Sequence, residues 1–143
     1  MVHVFNLMKY QYTTYLPEGI RGKFIKRPMV EIEIMGPNGR HKQLALVDSG
    51  ADYSIFSAEI AKYLGIDLER GRTSLVTGIT GRTSVVMVDV EVKIEHLDSS
   101  MIPVGFIDSP HVGALLGQEG FFDGHRIKFE KDHNTFEVSR VRS

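Results

Sequence analysis

With 143 residues, 42% of them hydrophobic and 24% charged, the chain has the size of one domain with a modest core and an ordinary soluble composition. A formal net charge of -1 gives no bulk electrostatic case for nucleic acid or an anionic membrane, and the absence of cysteine excludes disulfides, thiolate nucleophiles and cysteine-ligated zinc. No window approaches the roughly 18 apolar residues of a spanning helix, and Met1 to Lys9 lacks the basic start and long apolar middle of a signal peptide. The expectation is a soluble protein of the cytoplasm.

In chain order, Val2 to Leu7 alternates weakly and suggests a strand at an edge or in a subunit contact. Tyr10, Tyr12 and Tyr15 follow at mixed spacing, and Pro17, Gly19 and Gly22 break any regular element, so residues 8–22 read as irregular. The three tyrosines are expected to anchor a loop to the body. Arg21, Lys23, Lys26 and Arg27 form the densest basic cluster, without an aromatic ladder, and read as solvated surface. Residues 1–27 are therefore taken as an N-terminal arm, and 28–143 as the folded domain.

From Pro28 the pattern sharpens. Val30, Ile32 and Ile34 alternate with Glu31 and Glu33, Pro37-Asn38-Gly39 signals a turn, and Lys42 to Val47 returns as the second strand of a hairpin. That hairpin delivers Asp48 into a turn of small residues, Ser49-Gly50-Ala51. Ser57 is placed to cap a helix over Ala58 to Leu64, with Gly65 at its end. Leu75 to Gly81 leads into a strand whose face is Val86, Val88, Val90, Val92 and Ile94. The glycines around Ile79 suggest a mobile hairpin tip; a phosphate-cradling loop is the competing idea, but their spacing matches neither nucleotide-binding fingerprint.

Asp98 to Ser100 reads as a turn, and Met101 to Ile107 as a strand that Pro103 places near an edge or a strand start. Ala114-Leu115-Leu116-Gly117 is a second apolar run ending in glycine, followed by a short helix or turn at Gln118 to Phe122. A turn at Asp123-Gly124, strands at Arg126–Glu130 and Thr135–Val138, and a solvated tail from Ser139 complete the chain. The sum is an all-β, closed or partly closed structure with one or two short helices.

Histidine is the commonest catalyst, yet the six, at 3, 41, 96, 111, 125 and 133, never pair at ligand spacing and read as surface residues. Carboxylate chemistry is better supported. By itself Asp48 has an ordinary explanation, a turn aspartate bonding its own backbone. Against this, apolar residues precede it, a glycine hairpin follows about thirty residues on, and a Leu-Leu-Gly run about seventy on.

Leu46-Val-Asp-Ser-Gly-Ala51 resembles the active-site signature of the retropepsin-like (retroviral-type) aspartic proteases. Val76-Thr-Gly-Ile-Thr-Gly81 resembles that family's glycine-rich flap, and Leu115-Leu-Gly117 the segment that packs behind its catalytic loop. The ordered triple covers roughly residues 28–138, and the helix at Ala58 to Leu64 is more like the cellular and bacterial branch than the shortest viral enzymes. The resemblance implies the closed β-barrel of one acid-protease half and two aspartates sharing a proton around an attacking water, because like charges about 3 Å apart cannot both ionise. This chain carries one Asp-Ser-Gly, so the second carboxylate is expected from a second copy in a symmetric homodimer.

Carried over residue by residue, the resemblance makes Asp48 catalytic, with Ser49 and Gly50 supporting it. Ala51, Asp52, Gly78, Ile79 and Gly81 would bind an extended peptide or protein substrate. No metal and no organic cofactor is implied. Gln118 stands where the family often has arginine or asparagine, which puts one supporting hydrogen bond or ion pair in question. The competing function is a non-catalytic module that clasps peptides with the same fold.

Overall fold

Period-2 alternation sets the local structure of most of the chain, and the computed structural model describes residues 3–15, 24–78, 81–109 and 112–142. The chain begins with β1 (His3–Gln11) and β2 (Thr13–Tyr15), and β2 pairs with β3 (Ile25–Arg27). Residues 8–11 and 13–15 are thus extended where the local pattern suggested irregularity. The partner of residues 8–11, β12, lies far away in sequence, so no local periodicity announces them. Tyr10 is buried and stacks on Phe136, ring centroids 5.3 Å apart. Residues 16–23, the rest of that stretch and half of the basic cluster, lie outside the described residues.

β4 (Met29–Gly36) and β5 (Gly39–Val47) form the expected hairpin, burying Val30, Ile32 and Ile34 on one face. Its two-residue turn is Pro37-Asn38, and Gly39 takes the positive φ of +132 that a side chain would resist. β6 (Ser54–Ser57) is buried at all four positions and runs into α1 (Ala58–Leu64). Ser57 Oγ accepts the Glu59 amide at 3.3 Å, and Gly65 closes the helix at φ 72, as the capping residues predict. Ile60, Ala61 and Leu64 turn that helix's apolar side to the core.

A single 3-10 turn at Leu68–Arg70 leads to the hairpin of β7 (Arg72–Gly78) and β8 (Gly81–Ile94). β8 buries both faces in different stretches. Val90, Val92 and Ile94 join the main core, whereas Val85 and Met87 join a smaller cluster with Ile55. The second face escaped the sequence because only two of its positions are apolar. β9 (Ser99–Ile107) follows a turn that falls at residues 95–98, earlier than expected, with His96 at φ 68. β9 is interior, so Pro103 does not mark a sheet edge. Its missing N–H is tolerated because β6 pairing begins only at Val104.

β10 (Ala114–Leu116), a 3-10 turn at Phe122–Gly124, β11 (His125–Glu130) and β12 (Thr135–Arg142) end the described chain. The tail is not solvated as expected: β12 runs to Arg142 between β1 and β11, and Ser139 is buried. The larger sheet has the order β4-β5-β10-β6-β9-β8-β7, and an additional β4–β8 pairing brings it back to its first strand. Among the described residues strand predominates, with one short α-helix, so the all-β expectation holds.

Candidate active site

Alternation along β5 decides where Asp48 emerges. Ala45 and Val47 point into the core, so Leu44 and Leu46 face the other way, and Asp48 continues from the strand end half-exposed. Its backbone N–H donates to Leu116 O at 2.9 Å, tying the strand end to β10. Asp48 Oδ1 accepts the Gly50 N–H at 3.0 Å, and the Ala51 N–H reaches Asp48 O at 3.2 Å. The turn-forming role of an aspartate is therefore present. Oδ2 makes no hydrogen bond among the described residues, which leaves one carboxylate oxygen available.

The turn after β10 holds this loop from behind. A Cβ on Gly117 would stand 2.2 Å from Tyr53 O and 2.7 Å from Ala51 O, so only glycine permits the two segments to approach. The Gly117 N–H donates to Ser54 Oγ at 3.1 Å, and that hydroxyl donates onward to Glu119 O at 3.2 Å. Gln118 sends its backbone N–H to Ala51 O at 2.8 Å and its side-chain amide to Ser49 O at 2.8 Å. Glutamine at this position thus makes two hydrogen bonds to the backbone of the Asp48 loop. The Glu119 N–H adds Asp52 O at 2.9 Å.

Ser54 is the residue that the sequence reading missed. Buried completely between apolar neighbours, it satisfies one donor and one acceptor that water cannot reach. The available signal was a serine opening an otherwise apolar run, Ile55-Phe56, just after the Asp-Ser-Gly turn.

Two apolar surfaces flank the loop. A groove of about 580 Å³ runs beside β5, walled by Leu44, Leu46, Gly113 and Leu115, with Thr13 and Arg27 at its rim. Leu115 sits beside Leu46 in the parallel β5–β10 pair and also packs against the Ile55, Val85 and Met87 cluster. Tyr53, Val76, Ile107 and Val112 surround that cluster, so β7 lies over residues that follow the loop. Gly78 and Gly81 pair at the end of the β7–β8 hairpin; Ile79, the expected tip contact, lies outside the described residues. Asp52 is exposed and Ala51 half-buried, each fixed through its backbone carbonyl.

A second groove, about 610 Å³ and lined by Met35, Ile66, Val88 and Met101, holds none of these residues. Among the described residues no three His, Asp or Glu side chains are grouped to hold a metal ion, and no helix is long and apolar enough to cross a membrane.

The aspartyl protease family model matches residues 30–119, a span holding the Asp48 turn, the β7–β8 hairpin and the Gly117 turn. The chain belongs to the aspartyl protease family. No curated protein matches it. In this aspartyl protease chain the three segments that resembled the family's motifs are two neighbours joined by hydrogen bonds and one hairpin joined to them through an apolar cluster. The mostly β architecture is consistent with a retropepsin-like fold.

Proposed function

We propose that the chain is an aspartic endopeptidase that works as a symmetric homodimer, with a water activated between the Asp48 carboxylates of two copies. The carrying observation is the Asp48 turn itself. One carboxylate oxygen is engaged by Gly50, the other is open, and the loop is clamped by Gly117, Gln118 and Ser54. A carboxylate held this firmly loses little orientational freedom when it meets a substrate carbonyl. One Asp48 would act as base on the water while its protonated mate donates to the carbonyl oxygen, and the shared proton makes the rate favour the acid side.

Ser49 and Gly50 would line the dimer axis. Ala51 and Asp52 would offer backbone to an extended peptide, and the hairpin at Gly78, Ile79 and Gly81 would cover it and exclude water. The Leu44–Leu46–Leu115 groove supports an apolar side chain in that peptide. Helix α1 supports a place in the cellular and bacterial branch of the family.

Mixing chains tests the shared site directly. A tenfold excess of Asp48→Asn chain added to wild type would bind most wild-type subunits into mixed dimers with one carboxylate, and activity should fall to about a tenth. Activity that ignores the added variant would show that a single chain suffices and would overturn the dimer.

A further inference from the structure

The segment that clamps the catalytic loop carries a buried histidine at its far end. His125 opens β11 with 9% of its surface exposed, and its ring lies against Phe121 with centroids 4.8 Å apart. Nδ1 faces Phe121 O at 2.8 Å, and since a carbonyl only accepts, Nδ1 must carry the hydrogen. Nε2 is then a bare lone pair, buried and without a hydrogen-bond partner among the described residues. Burial is the first reason that this imidazole's pKa lies below the ordinary histidine value; Arg140 adds to the lowering, while the Phe121 bond and Asp123 oppose it.

The surroundings offer a proton on Nε2 little. Asp123, on the 3-10 turn, spends a carboxylate oxygen on the Gly120 N–H at 3.4 Å. Arg140, opposite His125 on β12, is itself a cation and donates to Asp98 O at 2.9 Å. From β9 come Ser100, Met101, Ile102 and Pro103, all uncharged, lining a hollow of about 300 Å³ beside the ring.

The same turn reaches the catalytic loop. The Phe122 N–H donates to Gly117 O at 3.1 Å and the Asp123 N–H to Gln118 O at 3.1 Å. Gln118 in turn donates to Ala51 O and Ser49 O. A change at Phe121 or His125 is thus two hydrogen-bonded links from Ser49.

We propose that His125 is an acid-sensitive lock on the catalytic loop: neutral, it clamps the Gly117–Gly124 turn, and protonated, it releases that turn and with it the hold of Gln118 on Ser49. A solvent proton on Nε2 adds a donor with no acceptor and a charge facing Arg140. Swinging the ring into the hollow, which Ser100, Asp123 and Arg140 also line, offers the new donor the acceptors that it lacks, and that movement breaks the Nδ1–Phe121 bond. The lock rests on the turn's geometry alone. Its consequence, an acid limit to cleavage, rests on the protease reading, so the enzyme would work between the proton that its dyad needs and the proton that His125 must not take.

The test is nuclear magnetic resonance on the full-length chain from pH 8 to 4, following the His125 ring nitrogens and the Ser49, Gly50 and Gln118 amides. His125 should be the Nδ1–H tautomer near neutrality and titrate below the ordinary value of about 6.5. The Ser49 and Gln118 amides should shift with the same midpoint, and the Gln118 amide, which donates to Ala51 O, should lose protection by about tenfold. His125→Asn keeps a donor for Phe121 O but cannot titrate there, and it should abolish that transition and extend cleavage to lower pH. Arg140→Gln, which removes the facing cation, should raise the midpoint, and it decides the matter if His125→Asn does not fold.

A His125 that titrates while Ser49 and Gln118 stay still, or the same transition persisting in His125→Asn, overturns the lock. An intact transition without cleavage at any pH defeats the protease reading and leaves the lock standing.

Discussion

At position 117 no side chain fits. The Tyr53 carbonyl oxygen stands 2.2 Å from an ideal Cβ and belongs to backbone, which cannot swing aside. Gly117→Ala is therefore expected to cost about 3 kcal/mol or more and to displace the Asp48 loop. Thermal unfolding would read the loss, and an alanine variant melting with wild type would contradict it. Tyr10 makes a prediction at the opposite end of the pH scale. Burial, helped by the Glu95 carboxylate, pushes its hydroxyl up to about 12. The unfolded chain gives up that proton near pH 10 while the folded chain retains it, so stability present below pH 10 is lost as pH climbs toward 12. Wild type should lose on the order of 2 kcal/mol over that window, and Tyr10→Phe distinctly less; parallel alkaline slopes in a chemical-denaturation series would refute the assignment. Asp48 and Gly117 were legible because each stands in a short motif whose residue types have few alternatives. Ser54 and the buried His125 were not, because nothing beside a lone serine or histidine in sequence says which strand will cover it.

At the scale of elements, α1 was readable to the residue and β1 was not. Ser57 and Gly65 mark the helix by chemistry local to its ends, a hydroxyl for a free amide and a residue able to adopt φ 72. Gly65→Ala should cost about 1–2 kcal/mol, since it adds a strained backbone to a contact with Asn38. Urea unfolding would measure this, and no change in midpoint would mean that the turn relaxes freely. β1 depends instead on β12, more than a hundred residues away, with Met8 opposite Val138 and Tyr10 opposite Phe136. Weak alternation up to Leu7 suggested a strand, but its continuation through residues 8–11 takes a strand's meaning only once that partner exists. Pro103 misled for a related reason: a residue can border an unpaired stretch inside a sheet, because β6 is shorter than β9.

For the whole molecule, the arrangement couples a ring of paired strands to one loop. β5 brings Asp48 to the surface, β10 and the Gly117 turn hold it from behind, and the β7–β8 hairpin joins from the far side through Val76 and Leu115. The class of fold was legible because alternation recurs from Val30 to Val138. Closure was expected, but the pair that makes it, β4–β8, was not legible, since pairing between distant strands leaves no local mark. Whether this aspartyl protease chain cuts peptides through Asp48 is decided by cleavage of a diverse peptide mixture from acid to neutral pH, by wild type and by Asp48→Asn. The prediction is cuts by wild type alone, favoured on the acid side, with the variant folded and equal in solution mass. Cleavage retained by Asp48→Asn would contradict the mechanism, and a folded wild type that cuts nothing at any pH would leave a peptide-clasping module in its place.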